Sequence, residues 1–214
     1  MTRDPLADLA AQLSRTLGGA LLGATDANND GGSDDAAPLT LLPAARPTAP
    51  ALLARAHPGG TRVQKDAAAL YRRCLAHYRS RVQRNLPQDD VGAAGAYFVL
   101  ACVAAIQQID VSEPQLALVE RQMRRMIGKH PAWQQAGAIE RQSLFEQLAL
   151  LGVLVGEAQF DARRQGAAAR DHVARAARAY LQQLLGLNPD CLQLGAHGLE
   201  LRVAAPQLAA EADR

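Results

Sequence analysis

Val91–Ile106 reads VGAAGAYFVLACVAAI, a run without a single charge. A helix that is apolar all the way round has no face suited to water and must be enclosed by other elements. The neighbouring stretches are amphipathic at helical spacing, so this run marks the central helix of an all-α domain. Gly92 and Gly95 interrupt it, and it falls short of the roughly 20 residues needed to cross a bilayer. No transmembrane segment is expected.

Working outward, Asp89 or Asp90 supplies the N-cap of the central helix. Before it, Val63, Ala67, Leu70, Cys74, Tyr78 and Val82 form the stripe of a first helix running from about Arg62 to Leu86, where Pro87 disfavours helical geometry in the residue before it. After it, Ser112, Glu113 and Pro114 open a third helix, with Leu116, Val119, Met123 and Met126 or Ile127 facing inward and a stop before Pro131. Ile139–Gln165 gives a long fourth helix on Leu144, Leu148, Leu151 and Val155, stopped by Gly166. Residues 167–187 give a fifth on Val173, Ala177, Tyr180, Leu181 and Leu184, closed by Gly186 and Pro189. Short connections make antiparallel neighbours, hence a compact bundle of about five helices with a buried central helix. Beyond Pro189 the period falls to two: Leu192, Leu194, Leu199, Leu201 and Val203 alternate around Gly195-Ala196-His197-Gly198. That pattern predicts a short C-terminal β-ribbon lying on the bundle, since an isolated ribbon is only marginally stable.

Residues 1–61 read differently. Leu6, Leu9, Leu13, Leu17 and Leu21 repeat at helical intervals behind Asp4 and Pro5, which predicts an amphipathic N-terminal arm over residues 1–25. Residues 26–61 are rich in Pro, Gly, Asn and Asp at their start and carry no apolar period, so a flexible linker is expected there. The helical domain then occupies residues 62–203, and residues 204–214 are expected to be a disordered tail.

The chain has 214 residues, 49% of them apolar but only 4% aromatic, so the core must come from aliphatic side chains and close helix contacts. Net charge is +2; residues 62–187 carry 17 cations against 11 acids, while residues 1–61 carry four against six. A balance this small does not imply a nucleic-acid partner. Cys74, Cys102 and Cys191 have no paired spacing, so neither a disulfide framework nor a zinc site is supported, and they read as buried free thiols. Asp4 and Asp8 stand where a signal peptide requires positive charge. A cytoplasmic location is therefore expected.

Asp26, Asn28, Asp30 and Gly31 match the first half of a calcium loop, but the twelfth position is Ala37, and half a loop cannot supply six to eight oxygens. His57, His77, His130, His172 and His197 show no metal-ligand spacing. Cys74 and His77 lie three apart and would share a face as nucleophile and base require, yet that face is read as core. Glu157 and Asp161, four apart, read as a solvated end turn paired with Arg163 or Arg164. Arg121, Arg124, Arg125 and Lys129 cluster on the third helix, with Arg163, Arg164, Arg170, Arg175 and Arg178 around the fourth-to-fifth turn; without stacking aromatics beside them they suit an acidic protein better than a nucleic acid. No catalytic residue, metal or cofactor is expected.

Five stretches together resemble a known family: YRRCLAHYR (Tyr71–Arg79), DVGAAGAYFVLACVAA (Asp90–Ala105), VERQMRRMI (Val119–Ile127), RQSLFEQLALLGVLVGEAQ (Arg141–Gln159) and AARAYLQQLLGLNPDCLQLGAHGLEL (Ala176–Leu201). They are similar to a bacterial family known only as a domain of unknown function, number 6683. The resemblance spans about residues 65–201. It rests on apolar helix positions and carries no catalytic or ligand-binding residue over to this chain.

These readings favour a non-catalytic helical protein-interaction or scaffold domain, whose contacts would use Leu6, Leu9, Leu13 and Leu17 of the arm and the Arg121, Arg124 and Arg125 face. The partner would be another protein or a second copy of the chain. The alternatives are a small-molecule or lipid-binding bundle, in which Gly and Ala of the central helix leave an apolar pocket, and an enzyme of unknown type.

Overall fold

The computed structural model describes residues 39–42, 46–56, 59–186 and 188–201. In them the uncharged run is one helix among seven: α1 (Ala49–Ala56), α2 (Thr61–Ser80), α3 (Val91–Gln107), α4 (Glu113–Gly128), α5 (Pro131–Gln135), α6 (Ala138–Gln165) and α7 (Ala167–Leu185). A hairpin of β1 (Leu192–Gly195) and β2 (Gly198–Leu201) follows. The five long helices and the ribbon are those the sequence predicts, and thirteen of the 17 residues of α3 are buried. Its largest contact is with α6, then with α4 and α7, while α2 packs on α6 and α1.

Close approach replaces bulk in this aromatic-poor core. A side chain at Gly152 of α6 would lie 2.7 Å from the Tyr97 ring, and one at Gly92 of α3 would lie 3.0 Å from the Arg124 backbone of α4. Gly95 meets Met123 in the same way. Three of the eight aromatics meet at the α2–α3–α6 junction: Tyr78 lies 5.7 Å from Tyr97 and 5.9 Å from Phe145, edge-on to the latter. On α2 the buried face is Ala67, Cys74, Leu75 and Tyr78. Val63 and Leu70 of the expected stripe are exposed, because the seam runs through Leu75 rather than along the first half of the helix.

The helix ends follow local chemistry. The Asp90 carboxylate accepts the Ala93 N–H at 2.9 Å and caps α3. Ser112 and Gln115 form a reciprocal capping box on α4. Gly186 closes α7 in the left-handed region at φ 59°, and Gly166 separates α6 from α7. The hairpin registers Leu192 with Leu201 and Gly195 with Gly198. Two glutamines fasten it: Gln122 of α4 accepts the Leu199 N–H at 2.8 Å, and Gln107 of α3 donates to the Leu192 carbonyl at 2.8 Å. Leu192 and Leu199 enter the core.

Three features depart from expectation. First, part of the expected linker is packed on the bundle. Leu39 is buried, the Val91 N–H donates to its carbonyl at 3.1 Å, and the Leu41 N–H donates to the Asp89 carbonyl at 2.9 Å. Further along, α1 is held by Glu146, a fully buried carboxylate of α6 whose Oε2 accepts the Thr48 and Ala49 N–H groups at 2.8 and 2.9 Å; Gln142 donates to its Oε1 at 2.7 Å. The anchor is polar and lies far off in sequence, so hydrophobic periodicity does not reveal it. Second, α5 fills the expected turn at Pro131 and buries Trp133 completely, under the Arg141 guanidinium 4.8 Å from the ring centroid. Third, the buried His130 imidazole caps α5, its Nδ1 accepting the Ala132 N–H at 3.0 Å. The expected arm, the start of the expected linker and residues 202–214 lie outside the described residues.

Replacing Glu146 with Ala leaves buried donors without an acceptor, at a cost of about 1–3 kcal/mol. Urea denaturation should show that loss, and amide exchange within Ala49–Ala56 should accelerate before the rest of the bundle; unchanged exchange there would refute the anchor. Burial lowers the pKa of His130. Its folded value thus lies below the unfolded value of about 6.5, so the unfolded chain binds the proton first and stability falls as pH drops below about 6.5. In His130→Gln that pH-dependent part should vanish from melting curves taken across the same range.

Candidate functional site

A cleft of about 330 Å³ lies between the C-terminal half of α3, the start of α4 and the second half of α6. Small residues open it: Ala101 and Ala104 on α3 and Gly156 on α6. Leu100, Ile109 and Leu116 add apolar wall, and Phe160 stands on the rim, 62% exposed. Such an exposed aromatic beside an apolar hollow is an unusual surface for a solvated helix.

Polar groups are few and placed at the edges. Arg163 on α6 donates to the Asp110 carboxylate at 2.6 Å and to the Ile109 carbonyl at 3.1 Å, tying the α3–α4 loop to α6 across the mouth. Gln159 is buried, and its Nε2 has no hydrogen-bond partner among the described residues. Tyr97 reaches across Gly152 and Gly156. Burial, with the Glu157 carboxylate adding to it, pushes the Tyr97 phenol up to about 12, so it is protonated at neutral pH and can only share its proton in hydrogen bonds.

The structure sorts the other sequence candidates. Cys74 is buried, but His77 is exposed rather than on the core face, and its Nε2 lies 3.7 Å from Glu157 of α6. A cysteine, a histidine and a carboxylate are thus neighbours, a placement that spacing along α2 alone does not give. Burial raises the Cys74 thiol pKa, which disfavours the thiolate that nucleophilic chemistry requires. Asp161 is exposed, and of Arg163 and Arg164, either of which was expected to pair with Glu157 or Asp161, Arg163 pairs with Asp110. Among the described residues no group of three or more His, Cys, Asp or Glu could hold a metal ion. The half calcium loop at Asp26–Ala37 lies outside the described residues, as do Leu6, Leu9, Leu13 and Leu17.

The arginine face divides. Arg121 and Arg125 are exposed. Arg124 turns inward: its Nη2 lies 3.0 Å from the buried Asp90 carboxylate and its Nε donates to Glu120 at 2.9 Å. Arg124 is therefore a tie between α4 and the start of α3, a role hidden from sequence because Asp90 is thirty-four residues away. Sequence reasoning also missed Phe160 and Gln159; the Gly152–Gly156 spacing was the available signal for an open stretch on α6.

A family model described as a family of unknown function (DUF6683) matches residues 9–202. The chain belongs to that family. The match begins well before the stretches that carry the sequence resemblance and takes in most of the expected arm and linker. No curated protein and no solved structure matches the chain. No helix among the described residues is long and apolar enough to cross a membrane.

With Cys74 and Cys102 buried and Cys191 half-buried, iodoacetamide at about pH 8 should label Cys191 first, leaving the other two to react at the rate of global opening. Fast labelling of Cys74 in the folded protein would instead mark it as an accessible nucleophile beside His77.

Proposed function

We propose that the domain is a non-catalytic protein-interaction or scaffold module whose α3–α4–α6 cleft receives an amphipathic helix. The observation that carries this reading is the cleft itself: an apolar hollow built from Ala101, Ala104 and Gly156 with an exposed Phe160 at its rim. Large side chains spaced along one face of a helix fill hollows of this kind, and an aromatic at the rim closes over them. Arg121 and Arg125, on the same helix as Leu116, add a charged contact for an acidic partner. The three free thiols suit a reducing compartment, and a cytoplasmic setting is part of the proposal. One observation favours a second reading, in which the cleft takes a small apolar molecule or lipid: the buried Gln159 amide could orient such a ligand.

The test compares the full-length protein with Phe160→Asp and Ala104→Trp, the first placing charge at the rim and the second filling the hollow. Polypeptides that co-purify with the parent chain should be lost from both variants while the melting temperature of Phe160→Asp stays within a few degrees. Equal retention would refute the cleft as the contact surface. A non-peptidic adduct in native mass spectrometry, displaced by Ala104→Trp, would establish the second reading.

A further inference from the structure

Resting on the second of these readings, we propose that the cleft binds an uncharged small molecule with an apolar body and a carbonyl-type oxygen, which accepts hydrogen bonds from the Gln159 amide and the Tyr97 hydroxyl. Gln159 lines the cleft and is only 8% exposed, yet its Nε2 meets no acceptor among the described residues. A buried donor left unpaired costs free energy that an entering acceptor recovers. Gly156, Gln159 and Arg163 follow one another at three- and four-residue steps along α6 and so share a face. Tyr97 brings its hydroxyl to the first of these turns, 3.3 Å from where a side chain on Gly156 would begin. One wall of the cleft is therefore a row of donors, while Leu100, Ala104, Ile109 and Leu116 make the rest of it apolar.

Size and charge set the class of ligand. A volume of about 330 Å³ holds on the order of ten non-hydrogen atoms at roughly 30 Å³ each. The inner donors are neutral, because the Tyr97 phenol keeps its proton at neutral pH and an amide does not ionise. At the mouth Asp110 and Glu113 set two carboxylates against the Arg163 guanidinium, which already donates to Asp110 and to the Ile109 carbonyl. Glu157 is a third carboxylate, close enough to help raise the Tyr97 pKa. An anionic head group meets net repulsion there, and a cationic one brings further donors to a wall of donors. A neutral oxygen acceptor avoids both.

The test titrates the full-length protein with three probes of nearly one size: butyrophenone, which carries the acceptor, butylbenzene, which lacks it, and 4-phenylbutanoate, which is charged. Butyrophenone should bind roughly tenfold more tightly than either of the others, and Ala104→Trp should abolish its binding. In Gln159→Leu the two uncharged probes should become nearly equal, while the melting temperature of the ligand-free protein holds or rises because an unpaired buried donor is gone. Tyr97→Phe, which removes only the hydroxyl, should narrow the preference in the same direction and serves if the leucine variant fails to fold. Equal binding of butyrophenone and butylbenzene to the parent protein would overturn the acceptor class while leaving an apolar pocket in place. Tightest binding of 4-phenylbutanoate would overturn it in favour of an anion. If no probe binds and co-purifying polypeptides are lost from Phe160→Asp, the small-molecule reading itself fails and the helix-docking one stands.

Discussion

The structure depends on burying the start of a helix that has no polar face. The first amides of α3 point into a region from which water is excluded, and unpaired they would cost the helix much of what its apolar surface gains. Asp90 resolves this by accepting the Ala93 N–H, but its own carboxylate is fully buried and requires a counter-charge. Arg124 of α4 supplies it at 3.0 Å, and Glu120 holds the guanidinium from the other side at 2.9 Å. Thr40 donates its hydroxyl to the same carboxylate at 3.4 Å. One buried group thereby fixes the central helix, the helix antiparallel to it and the chain that enters the domain.

Around that point the bundle trades side-chain bulk for proximity. Gly92 and Gly95 let α4 approach the first half of α3, and Gly152 lets the Tyr97 ring lie against α6. The same small residues have the opposite effect at the other end. There Ala101, Ala104 and Gly156 face a loop and the first turn of α4 rather than a full helix, and the space they vacate is the cleft. A core made of Ala and Gly is dense only where two backbones can close on each other, so the cleft is a consequence of how the core is built.

Much of the fold was legible because it is written in local chemistry. Asp90, Ser112, Gly166 and Gly186 mark helix ends at the positions the structure shows, and the change from helical to alternating period after Pro189 marks the hairpin. The misses share a cause. Helix α1 is capped by Glu146, α5 is short and anchored by Trp133 and Arg141, and Arg124 is turned inward by Asp90; each depends on a partner distant in sequence or on a burial that no periodic pattern encodes. The site was legible only in outline. Gly and Ala on the central helix implied space, but the rim residue Phe160 and the buried Gln159 amide acquire meaning only when α3, α4 and α6 are placed together.

The two buried carboxylates also set how the entry segment behaves. Glu146 holds α1 through the Thr48 and Ala49 amides, and residues 39–41 pair with the backbone of Asp89 and Val91 while Thr40 donates to the Asp90 carboxylate, whereas the long helices are held chiefly by apolar burial. Apolar contacts are non-directional and tolerate small shifts; hydrogen bonds to a buried carboxylate weaken steeply with geometry. A segment held this way is the part of the domain expected to open first. Its attachment points lie at the start of α3 and on α6, the two helices that also wall the cleft, so whatever occupies the cleft acts on elements that already hold the entry segment in place.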